Sequence, residues 1–181
     1  RWFNQGVTVS ASFTQTTGFA EKLQYQINDG EWIDGSYKTF LASGIYTLSF
    51  RVIDAAGRTS PVQTCVVQID KENPVVDAPD KNYNWRKEDF SVELTFEDVL
   101  SGIGTVQFNL TNSTHSPGTW LSWLVSNSVL ISEEGIWYLH YCVTDKAGNT
   151  ATGYFGPYKL DKTAPQGVVV GNPATWYQSD V

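Results

Sequence analysis

Covalent or acid–base chemistry in this chain would have to be run by His115 and His140, by the thiols of Cys65 and Cys142, or by the acidic pairs Glu97–Asp98 and Glu133–Glu134. A serine, threonine or cysteine nucleophile needs a base within hydrogen-bond reach, and only two imidazoles exist. His140 falls in an alternating stretch on the face opposite Leu139 and Tyr141, which predicts a solvent or sheet-face role. His115 sits in Asn112-Ser-Thr-His-Ser-Pro117, a turn-rich loop. Two carboxylates can divide acid and base roles in glycoside hydrolysis, yet adjacent residues of a strand point to opposite faces. No residue is assigned a catalytic role, and the chain is expected not to be an enzyme.

Calcium is the metal to weigh, because oxygen ligands between repeats could stiffen a rod, and Asp70 and Asp161 stand at matching places. The ion takes six to eight oxygens, whereas each place offers one Asp followed at once by Lys. These Asp residues are expected to hydrogen-bond the turn backbone, as are Asp54 and Asp145, with Gly57 and Gly148 at positive φ. Neither a metal nor a cofactor is expected. Cys65 and Cys142 read as small buried hydrophobes, a bridge being the alternative. Trp32 and Trp120, and Trp2, Trp85 and Trp176, recur at matching places and are expected to anchor interiors. Trp123 has no such partner. With Trp120 it forms the candidate binding pair, since tryptophans can stack on sugar rings and recognition accumulates on loops.

Composition limits the partners. The 181 residues are 41% hydrophobic and 14% aromatic, which excludes intrinsic disorder. Twelve Lys and Arg against 19 Asp and Glu give a net charge of -7 without a basic stripe, so no nucleic-acid partner is expected. The densest apolar run, Gly167-Val-Val-Val-Gly171, is too brief to span a bilayer, so no membrane insertion is expected. Arg1 is not an initiator and no signal-peptide pattern follows it. The chain reads as an excerpt of a longer one.

Those residues hang on an internal repeat. Gly135-Ile-Trp137, Thr144-Asp-Lys-Ala-Gly148 and Leu160-Asp-Lys-Thr-Ala-Pro165 follow Gly44-Ile-Tyr46, Ile53-Asp-Ala-Ala-Gly57 and Ile69-Asp-Lys-Glu-Asn-Pro74 at an offset of 91 (44 to 135). The front halves match at 83 (2 to 85): Trp2 with Trp85, Phe13 with Phe96, Gln24-Tyr-Gln with Gln107-Phe-Asn. The second copy thus carries eight extra residues (91 minus 83), expected within Thr111 to Asn127. The spacing Trp-x4-apolar occurs at Trp2, Trp85 and again at Trp176. The predicted division is 1–71, 72–162 and a stub of a third repeat, 163–181, with Pro74 and Pro165 stiffening the joints.

Within a copy the apolar period is two. Val7, Val9, Ala11 and Phe13 alternate with polar residues, as do Leu23, Tyr25 and Ile27, and Tyr46, Leu48, Phe50 and Val52. The second copy repeats this over Phe90–Phe96, Val106–Leu110 and Trp137–Val143. No helix is predicted. Asn28-Asp-Gly30 supplies residues that tolerate the positive φ of a tight hairpin. Short strands every 8 to 12 residues predict a β-sandwich, a closed barrel being the other layout the pattern allows.

Ser101-Gly-Ile103, Gly118-Thr-Trp120, Glu134-Gly-Ile-Trp-Tyr138, Val143-Thr-Asp-Lys-Ala-Gly-Asn149 and Leu160-Asp-Lys-Thr-Ala-Pro165 together resemble the bacterial immunoglobulin-like (Big-type) tandem repeats of secreted and cell-surface proteins. Copy one departs, with Thr17-Gly-Phe19 for Ser-Gly-Ile and Arg58 for Asn149. The resemblance implies two tandem immunoglobulin-like sandwiches, an extracellular or cell-wall setting, and a spacer that displays other domains. Adhesion or glycan binding through the loop of Trp120 and Trp123, with a glycan or host surface protein as partner, is the alternative; so is an accessory role in a secreted carbohydrate-active enzyme. Copy two has a first strand from Pro74-Val-Val76 that copy one lacks, and 165–181 carries the corresponding segment of a third copy. Strand exchange with a neighbouring molecule through 165–181 is therefore expected at an open sheet edge.

Overall fold

The structure is a computed structural model, and it describes residues 1–14, 20–122 and 127–168. Among the described residues there is no helix, and none long and apolar enough to cross a membrane. The strands β1 (Trp2–Phe3), β2 (Val7–Ser10), β3 (Ala20–Ile27), β4 (Ile33–Asp34), β5 (Tyr37–Phe40), β6 (Gly44–Asp54) and β7 (Gln63–Ile69) come first. They form a five-stranded sheet, β1-β7-β6-β3-β4, facing the pair β2-β5. Then follow β8 (Val75–Asp77), β9 (Trp85–Arg86), β10 (Phe90–Glu93), β11 (Thr95–Glu97), β12 (Ile103–Thr111), β13 (Leu121–Ser122), β14 (Ser128–Ile131), β15 (Gly135–Asp145) and β16 (Thr150–Leu160). Here the large sheet is β13-β12-β15-β16-β9, facing β10-β14 and β8-β11. No strand is shared between the two sets. The chain is all-β, built as two sandwiches of immunoglobulin-like layout.

Period-two alternation places one face of each strand inside. In the first sandwich Leu48 and Phe50 of β6, Phe40 of β5 and Val67 and Ile69 of β7 are buried, with Val7, Val9 and Tyr25 packed against them. In the second, Val92, Leu94, Ile131, Leu139, Tyr158 and Leu160 do the same. Register repeats with the sequence offsets. Leu23, Tyr25 and Ile27 face Val52, Phe50 and Leu48, while Val106, Phe108 and Leu110 face Val143, Tyr141 and Leu139. Asn28 and Asp29 take φ of 48° and 56°, and Gly30 N–H donates to Ile27 O at 2.9 Å, so the Asn-Asp-Gly turn forms as its residues dictate.

Where the two sandwiches differ, the cause is local. The hairpin strand β13 follows β4 by 88 positions (33 to 121), so five of the eight extra residues enter the β12–β13 loop and three come after β13. Strand β7 starts late because Pro61 cannot donate to a ladder, whereas β16 begins at Thr150.

Three expectations are corrected. Phe13 lies beyond the end of β2 and is 41% exposed, while Phe96 in β11 packs on the core. The difference is β8: Val76 pairs with Phe96, and no described strand covers Phe13. Cys65 is exposed and Cys142 half-buried, both free. Among the described residues, the recurrent tryptophans belong to neither core cluster. Trp85 is 57% exposed on the two-residue marginal strand β9, and Trp32 lies on the outer face, with the Arg51 guanidinium 4.1 Å above its ring. Of the two roles left open for His140, the structure shows the sheet-face one, with the residue buried. Residues 163–168 of the stub form no strand and are exposed; Trp176 and the rest of it lie outside the described residues.

Candidate functional site

A cluster of acidic side chains sits where β7 hands over to the second sandwich. Asp70, Asp98 and Asp145 bring carboxylate oxygens within 4.8 Å of one another. Asp70 follows the last residue of β7; Asp98 lies in the β11–β12 loop and Asp145 ends β15. Two tight turns aim the last two inward. Gly102, at φ 76°, lets its N–H reach Asp98 Oδ1 at 2.6 Å, and Gly148, at φ 100°, does the same for Asp145 Oδ1 at 2.6 Å. Lys146 N–H donates to Gly102 O at 3.0 Å and ties the two loops together.

Asp70 inserts into this frame and is fully buried. Its Oδ1 accepts from Glu72 N–H at 3.1 Å, closing its own turn, and its Oδ2 accepts from Ser101 N–H of the second sandwich at 3.0 Å. Asn149 completes the contact, donating through Nδ2 to Asp70 O at 2.8 Å and to Asp145 Oδ2 at 2.7 Å. Burial alone would push the Asp70 carboxyl up, but hydrogen bonds from Ser101 and Glu72 outweigh it and hold it below the ordinary 3.8. The adjacent Lys71 turns the other way. Its backbone N–H donates to Ser43 Oγ at 3.1 Å and its Nζ to Leu41 O, both in the first sandwich. The Asp-Lys pair thus grips one sandwich with each side chain.

The second Asp-Lys pair repeats the half of this arrangement that lies within one sandwich. Lys162 Nζ donates to Ser132 O at 2.7 Å, the counterpart of Leu41 O, and Asp161 Oδ1 accepts from Thr163 N–H at 3.0 Å. Asp161 is exposed. A divalent cation, if held anywhere among the described residues, would be held by Asp70, Asp98 and Asp145. Calcium takes six to eight oxygens, and the carboxylates here already accept from the N–H groups of Glu72, Ser101, Gly102, Gly148 and Asn149. What this arrangement does chemically is couple two sandwiches.

The tryptophan loop is a separate feature. Residues 112–120 fold back over the outer face of their own sheet, pinned by His140 Nε2, which donates to Ser113 O at 2.6 Å. A carbonyl cannot donate, so Nε2 carries the proton. Asn109 Nδ2 donates to Pro117 O, and Thr111 Oγ1 to Ser113 O at 2.9 Å. Trp120 is half-buried immediately before β13, and His115 is exposed with its Nδ1 3.0 Å from Thr114 Oγ1. Trp123 lies outside the described residues, and so does its pairing with Trp120. Glu134 accepts from Lys162 N–H and Thr163 Oγ1.

Sequence reasoning found Asp70 and Asp145 as turn residues and missed that they converge with Asp98, Ser101 and Asn149. A signal was present: Ser101 and Asn149 belong to the phrases in which copy one departs. At the place of Asn149 stands Arg58, whose Nε donates to Asp54 Oδ2 at 2.7 Å within its own turn.

No protein-family model and no curated protein matches the chain. Among solved structures it is similar to the fibronectin(III)-like modules of CbhA from Clostridium thermocellum, at 15% identity, over 93% of each chain, with a TM-score of 0.39. It is similar also to the D00-D0 domain of intimin, at 12% identity, over 85% of this chain and 93% of that one, with a TM-score of 0.42. A third is the mixed-linkage glucan utilization protein SGBP-B of Bacteroides ovatus, solved with a mixed-linkage heptasaccharide, at 12% identity, over 88% of this chain and 42% of that one, with a TM-score of 0.33. The immunoglobulin-like layout rests on the chain's own strand order and register.

Proposed function

We infer that this chain is a non-catalytic spacer of a bacterial secreted or cell-surface protein, divided at 71/72 and 162/163, whose task is to hold other domains at a fixed distance and direction. The supporting observation is the Asp70 contact, in which one fully buried side chain leaves the first sandwich and is received by backbone and side-chain donors of the second. A flexible tether would need none of these bonds, and interdomain motion is the default without a built interface. Backbone relaxation measured on the whole chain tests the reading: both sandwiches should tumble with one correlation time, and two independent times would refute it.

The pinned loop at Trp120 supports a second reading, recognition of a glycan. Hydrogen bonds from His140 to Ser113 O and from Asn109 to Pro117 O hold the loop that leads to the half-buried Trp120, and a loop held before binding loses less entropy on binding. Binding to a glycan array that disappears in Trp120→Ala, with the fold intact, is the expected outcome; flat arrays for the unaltered chain would remove this reading.

A further inference from the structure

The two sandwiches close the same gap differently. In the second, β8 pairs antiparallel with Thr95–Glu97 and sends Pro74, Val76 and Ala78 inward, with Ala78 fully buried in the core. At the corresponding edge of the first, Ser12 to Thr14, no described strand is paired. The effect reaches the core positions beneath. Val92, Leu94 and Val143 are wholly enclosed, whereas their counterparts Val9, Ala11 and Val52 are half-buried. In place of a strand the first sandwich has a groove of about 400 Å³, lined by Val9, Ala11, Val52, Pro61 and Cys65 among others. The exposure of Phe13 and of Cys65 follows from the same gap.

We propose that this groove is a seat for a β-strand, and that its occupant is the segment Pro165–Val170 of a second copy of the chain, added antiparallel to Ser12–Thr14. Three observations select that occupant. Asp161-Lys-Thr-Ala-Pro165 repeats Asp70-Lys-Glu-Asn-Pro74, the phrase that introduces β8. Pro165, Gly167 and Val169 stand 91 positions after the inward-facing Pro74, Val76 and Ala78. Pro165 to Val168 are exposed, Val168 by 84%, so apolar side chains lie open to solvent outside either sandwich. An unpaired edge supplies backbone donors and acceptors to an added strand, and the pockets beneath it select alternate side chains. Seat and donor lie at different ends of one chain. The contact therefore joins unlike surfaces of two copies, and each copy has both a seat to fill and a strand to give.

The test uses the whole chain, sedimentation velocity over a roughly hundredfold concentration range set by mass action, and the Cys65 thiol, which lines the groove, as a footprint. The weight-average mass of the 181-residue chain should rise at least twofold, with the rate of Cys65 alkylation falling in step. Replacing Val168, Val169 and Val170 together by Lys should abolish both effects without altering the fold. Ala11→Lys should block the seat from the other side. Mixed together, these two single-defect chains should form only 1:1 pairs. A peptide of residues 163–181 should protect Cys65 in the triple-lysine chain. A mass that never exceeds one chain, association that survives the three lysines, or Cys65 protection independent of concentration, which would place the tail in its own groove, each overturns the proposal. Should Ala11→Lys fail to fold, the triple-lysine and peptide measurements still decide it.

Discussion

Replacing Asn149 by Ala weakens the coupling between the sandwiches, because it removes donors and relieves no repulsion. Its Nδ2 serves a neutral carbonyl, Asp70 O at 2.8 Å, and a carboxylate, Asp145 Oδ2 at 2.7 Å. A neutral hydrogen bond contributes about 0.5–1.5 kcal/mol net and one to a charged group about 1.5–3, so Asn149→Ala should cost roughly 2–4 kcal/mol. For a domain of this size that is a fall in melting temperature of about 10–20 °C in the second sandwich. A second variant separates turn from coupling. Asn149→Arg reproduces the arrangement of Arg58 with Asp54, so it should keep the Asp145 turn while losing the bond to Asp70 O. Urea unfolding read at single-residue resolution, with relaxation measured on the native chain, distinguishes the two. Ala should lower stability and loosen the pair; Arg should loosen the pair at a smaller stability cost. If both variants tumble as rigidly as the unaltered chain, the Asn149 bond to Asp70 O does not couple the sandwiches, and the reasoning from it fails.

Acid should release the same contact. The folded-state pKa of Asp70 is depressed, so its contribution is complete above the ordinary 3.8 and is lost as pH falls through the lower folded value; relaxation recorded from pH 5 downward should show the sandwiches separating in that window, and coupling unchanged under it would assign the contact to other groups. Phe96→Ala should cost about 2–3 kcal/mol, since the ring packs on the second core. Phe13→Ala should cost less than about 1 kcal/mol, because the residue is 41% exposed at the uncovered edge. Equal costs for the two, measured by chemical denaturation, would contradict the account of the uncovered edge.

The strand faces were legible because a half-buried strand must alternate, and Leu48 and Leu139 could be placed inside from neighbours two residues away. The turns were legible for a related reason: Asp54 and Asp145 bond to amides within four residues, so the sequence contains both partners of each bond. The tryptophans misled because recurrence at matching places shows equivalence, not burial. Trp85 recurs as a marginal residue, and large aromatic rings with a polar edge are tolerated there. The Asp70 contact was hidden for the opposite reason. Its partners stand 31 and 79 positions away, on loops that approach only once the second sandwich has formed.

Comparison of the copies recovers part of what distance conceals. A residue that differs between equivalent loops, while both cores and both turns persist, serves something outside the sandwich that carries it. Arg58 and Asn149 are such a pair. Each donates to the aspartate of its own turn at 2.7 Å, so the turn alone does not choose between them. Only Asn149 also bonds to a carbonyl of the preceding sandwich. The amide nitrogen of Asn can serve Asp145 and Asp70 together, whereas the forked guanidinium of Arg58 is engaged on Asp54. The latch is therefore a property of the pairing between Asp70 and the loop that ends in Asn149, and not of every copy of the repeat.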